Sequence, residues 1–182
     1  MTASKRILVA GIGNIFHGDD AFGSEVAREL SRRSEPLPEG VNVVDFGIRS
    51  YDLAYALMDG YDATILVDAT PRGEPPGTVS LIEPDLSQLD NLDAAEEIDA
   101  HSMNPVRVLQ LVRSLGGKPG RGLYLVGCEP AVLEADALGL SDAVQAAIPQ
   151  AVAMIAALVD DLLQGKPISE NPGLVRPAIE RR

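Results

Sequence analysis

Residues 63–68 read Ala63-Thr64-Ile65-Leu66-Val67-Asp68, an apolar, β-branched run that ends abruptly in a carboxylate. Too short for a core helix and too uniformly apolar for a half-exposed strand, it reads as an interior strand covered on both faces. Ile7 to Ala10 has the same character and closes in Gly11-Ile12-Gly13-Asn14, and Val41 to Phe46 and Leu123 to Val126 supply two more strands. Helical stretches separate them. Phe22, Val26 and Leu30 recur every fourth residue in a helix opening near Asp19 or Asp20, acids able to cap it. Asp52 to Met58 is a short helix stopped by Gly60. Asn104 or Pro105 opens another that reaches Ser114, with Val108, Leu111 and Val112 inward. Ser141 caps the last, Asp142 to about Gln164, which Gly165 and Pro167 stop.

Strands alternating with helices imply a three-layer α/β/α sandwich around a mostly parallel, five-stranded twisted sheet. The turn from Pro71 to Gly77 is too short for a crossover helix. The strand after it, Thr78 to Ile82, is therefore expected to pair antiparallel or sit at an edge. Residues 1–165 read as a single α/β domain and 166–182, aperiodic and broken by Pro172, Gly173 and Pro177, as a flexible tail.

Composition narrows the function. The net charge of -12 leaves no positive footprint for duplex nucleic acid. With no Trp and 4% aromatic residues, base- or sugar-stacking platforms are disfavoured. Cys128 is the single cysteine, so neither an intrachain disulfide nor a Cys-x-x-Cys knuckle exists, and it reads as a small buried residue. The apolar run after Met1–Arg6 is too short for a signal peptide. The stretch from Ala143 to Leu163 is broken by Gln145, Pro149, Gln150, Asp160 and Asp161, so no membrane insertion is expected and the cytoplasm is the default location. No coiled-coil stripe demands a dimer, and a monomer is expected.

Gly11-x-Gly13 after a first strand invites a dinucleotide reading. The third glycine of that pattern is replaced by Phe16, and Asp19 and Asp20 would repel a pyrophosphate. No Gly-Lys-Ser or Gly-Lys-Thr is present, which excludes a P-loop.

Ligand crevices of open α/β sheets lie outside the C-terminal ends of the strands. Asp20 follows the first strand, Asp68 ends the third, and His101 lies at a helix start that can open from the same edge. Two carboxylates and an imidazole suit a divalent transition metal, and equally suit general acid–base work. Plainer readings stand beside this one. Asp19 is a helix cap, Asp68 a strand-end acid, His101 an ordinary helix-start residue, and His17 an exposed loop residue.

Gly11-Ile12-Gly13-Asn14-Ile15-Phe16-His17-Gly18-Asp19-Asp20-Ala21-Phe22-Gly23 resembles the opening of the nickel-iron hydrogenase maturation proteases. So do Ile65-Leu66-Val67-Asp68-Ala69 with the Pro76-Gly77 turn, His101-Ser102-Met103-Asn104-Pro105, and Gly127-Cys128-Glu129-Pro130. The resemblance spans about residues 5–164 and implies a phosphorylase/hydrolase-like sandwich. It implies that Asp20, Asp68 and His101 engage nickel, and that the protein is an endopeptidase removing a C-terminal extension from a nickel-loaded hydrogenase large-subunit precursor. Nickel would come with the precursor, and cadmium or zinc could replace it in a crystal. A non-hydrolytic nickel-sensing or chaperone-like binding module is the alternative.

Overall fold

The computed structural model describes residues 4–84, 86, 105–134, 136–171 and 174–175. Its strands are β1 (Ile7–Ile12), β2 (Val41–Gly47), β3 (Ala63–Ala69), β4 (Val79–Ile82), β5 (Gly122–Cys128) and β6 (Leu174–Val175). The helices are α1 (Phe22–Arg32), α2 (Ser50–Leu57), α3 (Pro105–Ser114) and α4 (Asp142–Gln164). Strand order across the sheet is β2-β1-β3-β5-β4-β6. β2, β1, β3 and β5 run parallel, whereas β4 pairs antiparallel with β5, as the short turn before it requires.

The alternation of side chains along each strand divides the core into two layers. Ile7 and Val9 of β1, Ile65 and Val67 of β3, and Tyr124 and Val126 of β5 pack with α1 and α4. Leu8, Ala10, Leu66, Leu123 and Leu125 face the other way, toward α2 and α3. Phe22, Val26 and Leu30 form the buried stripe of α1, in agreement with their spacing. In α3 the buried residues are Val108, Leu109 and Val112, with Leu111 only partly covered. α4 is long and apolar enough to cross a membrane, and here it buries Val144, Ala147, Ile148, Ala151, Ile155, Leu158 and Val159.

Two expectations need correction. Neither Asp19 nor Asp20 caps α1: both lie in a single 3₁₀ turn, Gly18–Ala21, that precedes it. Ser141 makes no side-chain capping bond to α4, because its hydroxyl donates to Asp19 instead, 2.9 Å away. Beyond α4, Ile168 is buried in the core and Leu174–Val175 extends the sheet beside β4. A two-residue strand has no periodicity from which it could be recognised.

The N-terminus of α1 lies against bare backbone. A Cβ on Gly23 would overlap the carbonyl oxygens of Ile12 and Val67, and one on Gly11 would overlap the carbonyl of Gly23. Gly13, at φ 142°, has the Asp20 carbonyl in the place of a side chain. Gly117 differs, since an added Cβ there meets chiefly the flexible Met58 side chain. Replacing Gly23 by Ala is therefore expected to cost about 3 kcal/mol or more in urea denaturation, and Gly117→Ala distinctly less.

Candidate active site at the C-terminal edge of the sheet

From β1 the chain passes through α1 to β2 on one side, then returns through α2 to β3 on the other. The strand order thus reverses between β1 and β3, which opens a crevice beyond their C-terminal ends. Asp20 enters that crevice from the 3₁₀ turn after β1, and Asp68 from the penultimate position of β3.

The two adjacent acids of the turn serve opposite ends. Asp19 is fully buried. Its Oδ2 accepts the backbone N–H groups of Ala131 and Val132 at 2.7 and 2.8 Å and the Ser141 hydroxyl at 2.9 Å, and its Oδ1 accepts the Ser141 N–H at 2.7 Å. Burial alone would raise its pKa, yet these donors hold the carboxyl below its ordinary value. Asp19 thereby ties the β5–α4 connection to the turn, and the Gly18 N–H reinforces the tie by donating to the Ala137 carbonyl at 2.8 Å. Asp20 faces the other way and is half-buried. Its Oδ2 accepts the Asn14 N–H at 2.9 Å, so the glycine loop grips a carboxylate with a backbone donor. Asn14 also turns the loop, through an Oδ1 that accepts the Phe16 N–H at 3.0 Å.

Asp68 is 4% exposed, and its Oδ1 has no hydrogen-bond partner among the protein groups. Burial first, and the negative charge of Asp20 second, raise its pKa well above the ordinary 3.8, with the Ala69 N–H offsetting only part. A strand-end surface acid would show neither feature. An orphaned oxygen beside a second carboxylate fits a cation, which would satisfy the oxygen and relieve the repulsion together. Among the described residues no group of three or more His, Cys, Asp or Glu side chains is arranged to hold a metal. His101 lies outside the described residues, as does most of the stretch from Glu83 to Asp99. His17 is engaged through its backbone, bridging to Ala137 and donating to the Asn14 carbonyl.

Two structural roles carried no signal in the sequence. Asp19 as a clamp has no local pattern, because its donors are more than a hundred residues away. Glu129 is also buried, and its carboxylate accepts the Arg72 and Gly73 N–H groups at 2.7 and 3.3 Å, which shapes the turn after β3. Cys128 is fully buried, and burial, then Asp19, then Glu129, push its thiol up to about 11, which leaves a poor nucleophile.

An acid whose pKa is raised by folding binds its proton more tightly in the folded state. Its destabilising effect is absent below pH 3.8, grows as pH rises, and levels off once Asp68 ionises in the folded protein. With chelator present, Asp68→Asn should therefore match wild type near pH 3.5 and exceed it in stability increasingly toward neutral pH. Parallel stability curves across that range would contradict the assigned environment.

The family model "Hydrogenase maturation protease" matches residues 24–158. The hydrogenase expression/formation protein HupD of Rhizobium leguminosarum bv. viciae is 33% identical over 149 residues, covering 82% of this chain and 71% of its own. Among solved structures, the hydrogenase maturating endopeptidase HybD from E. coli superposes with a TM-score of 0.69 at 30% identity, covering 86% of this chain and 93% of that one. A hydrogenase 2 maturation peptidase from a Thaumarchaeota archaeon gives 0.63 at 32%, covering 86% and 99%. The chain is a peptidase and belongs to the hydrogenase maturation protease family.

Proposed function

We propose that this protein removes a C-terminal extension from the nickel-loaded precursor of a nickel-iron hydrogenase large subunit, with Asp20, Asp68 and His101 engaging the precursor's nickel beside the scissile bond. The observation that carries the reading is Asp68. An unpartnered carboxylate oxygen is buried against a second acid at the topological switch point, in a chain of this family. Such an arrangement is costly for folding and is kept where a cation or a proton transfer uses it.

The division of labour follows from the surroundings of each residue. Asp68, held by burial toward its neutral form, gives up a proton as it takes a positive partner. Asp20, gripped by the Asn14 N–H and open toward solvent, is the carboxylate placed to approach the peptide or its attacking water. His101 contributes the imidazole. None of the three is a thiolate, so soft ligands would have to come from the precursor, and metal loading would itself be the recognition signal. The partner is thus the large-subunit precursor, nickel arrives as part of the substrate, and the protein works as a cytoplasmic monomer.

The test is intact-mass analysis of precursor incubated with the protein. Nickel-loaded precursor should lose one C-terminal peptide, and metal-free precursor should stay whole. Asp20→Asn, Asp68→Asn and His101→Ala should each slow cleavage by about 100-fold or more. Equal cleavage of metal-free precursor would reject nickel as the signal, and unimpaired variants would reject the site. Stoichiometric binding of precursor without any change in its mass would point to the chaperone-like alternative.

A further inference from the structure

We propose that Phe16, Ile48, Tyr51 and Tyr55 form a docking strip that seats an apolar segment of the hydrogenase precursor and leads its chain into the Asp20–Asp68 crevice, an inference that rests on the function proposed above.

The chain has only four tyrosines and three phenylalanines, and no Trp. Phe16, Tyr51 and Tyr55 are nevertheless 59%, 61% and 58% exposed, and Ile48 is 52% exposed. Where aromatics are this scarce, leaving three of them in water is a cost that an interface would recover, since buried aromatic anchors dominate binding energy.

The placement is coherent. Phe16 sits on the loop that ends in Asp20. Ile48 sits just beyond β2, whose Gly47 carbonyl accepts the Gly13 N–H of that same loop at 3.0 Å. Tyr51 and Tyr55 follow one helical turn apart on α2, on the face opposite the buried Leu53, Ala54 and Leu57. The strip therefore starts at the crevice and runs outward along one helix.

These side chains project from backbone that is already held. Asn14 Oδ1 fixes the Phe16 N–H, and Asp45 Oδ1 accepts the Gly47 N–H at 3.0 Å. The Arg49 guanidinium, just after Ile48, donates to the Asp45 carbonyl at 2.5 Å and to the Phe46 carbonyl at 3.2 Å, which closes the turn that carries Ile48. Anchors on a pre-ordered backbone lose little entropy on binding. The occupant is the precursor because Phe16 shares its loop with Asp20, that loop is bonded to the end of β2 from which Ile48 and α2 follow, and the chain belongs to the hydrogenase maturation proteases.

The concentration dependence of cleavage of nickel-loaded precursor is the measurement. Tyr51→Ala/Tyr55→Ala, and Phe16→Ala separately, should raise KM by about tenfold or more with kcat changed less than about twofold. Leu115→Ala serves as the control. That residue is also exposed and apolar, but it follows the C-terminal end of α3, on the connection that leads into the start of β5 and not at the C-terminal strand ends, and KM should not move. Unchanged KM in the strip variants, or a loss confined to kcat, overturns the strip. A wild-type dimer that the same substitutions dissociate, with KM unaltered, would make it an interface between copies and overturn it equally. Failure of the wild type to cleave the precursor would instead bring down the functional reading beneath it.

Discussion

The beginning of α1 rests on the backbone of β1 and β3 with nothing larger than a hydrogen between them, and the site depends on that closeness. Gly11 and Gly23 permit the approach, and Gly13 takes the positive φ that folds the loop over it. The 3₁₀ turn is thereby pressed against the strand ends, so two consecutive acids leave it in opposite directions. Asp19 goes inward to the β5–α4 connection and Asp20 outward to the crevice. A bulkier glycine position would lift the turn and move both carboxylates at once.

Two buried acids near the strand ends receive opposite treatment. Asp19, though fully buried, is supplied with donors and stays readily ionised. Asp68, almost as buried, has only the Ala69 N–H to offset its burial and an unpartnered Oδ1, and its pKa is raised. Side-chain burial alone does not decide which way an acid's pKa moves; the donors around it do. The energy withheld from Asp68 in the free protein is available when a positive group arrives.

Much of the fold was legible in the residues, because buried parallel strands are written as uninterrupted apolar runs rich in β-branched residues, such as Ile65-Leu66-Val67. The antiparallel direction of β4 followed from the length of the turn before it. What was not legible came from long-range partnerships. Asp19 looked like a helix cap because its true donors, Ala131, Val132 and Ser141, lie far along the chain. Ser141 looked like a cap for the same reason, since its hydroxyl is claimed by Asp19. Leu174–Val175 is too short to show a period, and only the exposed edge of β4 gives it a place. Asp20 and Asp68 were picked out by their positions after strands, and the structure brings these two to one crevice.

The central claim is that Asp20 and Asp68, with His101, meet a metal ion carried by the substrate. Anomalous diffraction from crystals soaked in nickel or cadmium tests it most directly. The account predicts one strong site bonded to the carboxylates of Asp20 and Asp68 and the imidazole of His101, lost in Asp68→Asn. A metal bound elsewhere, or a site that persists unchanged without the Asp68 carboxylate, would contradict it.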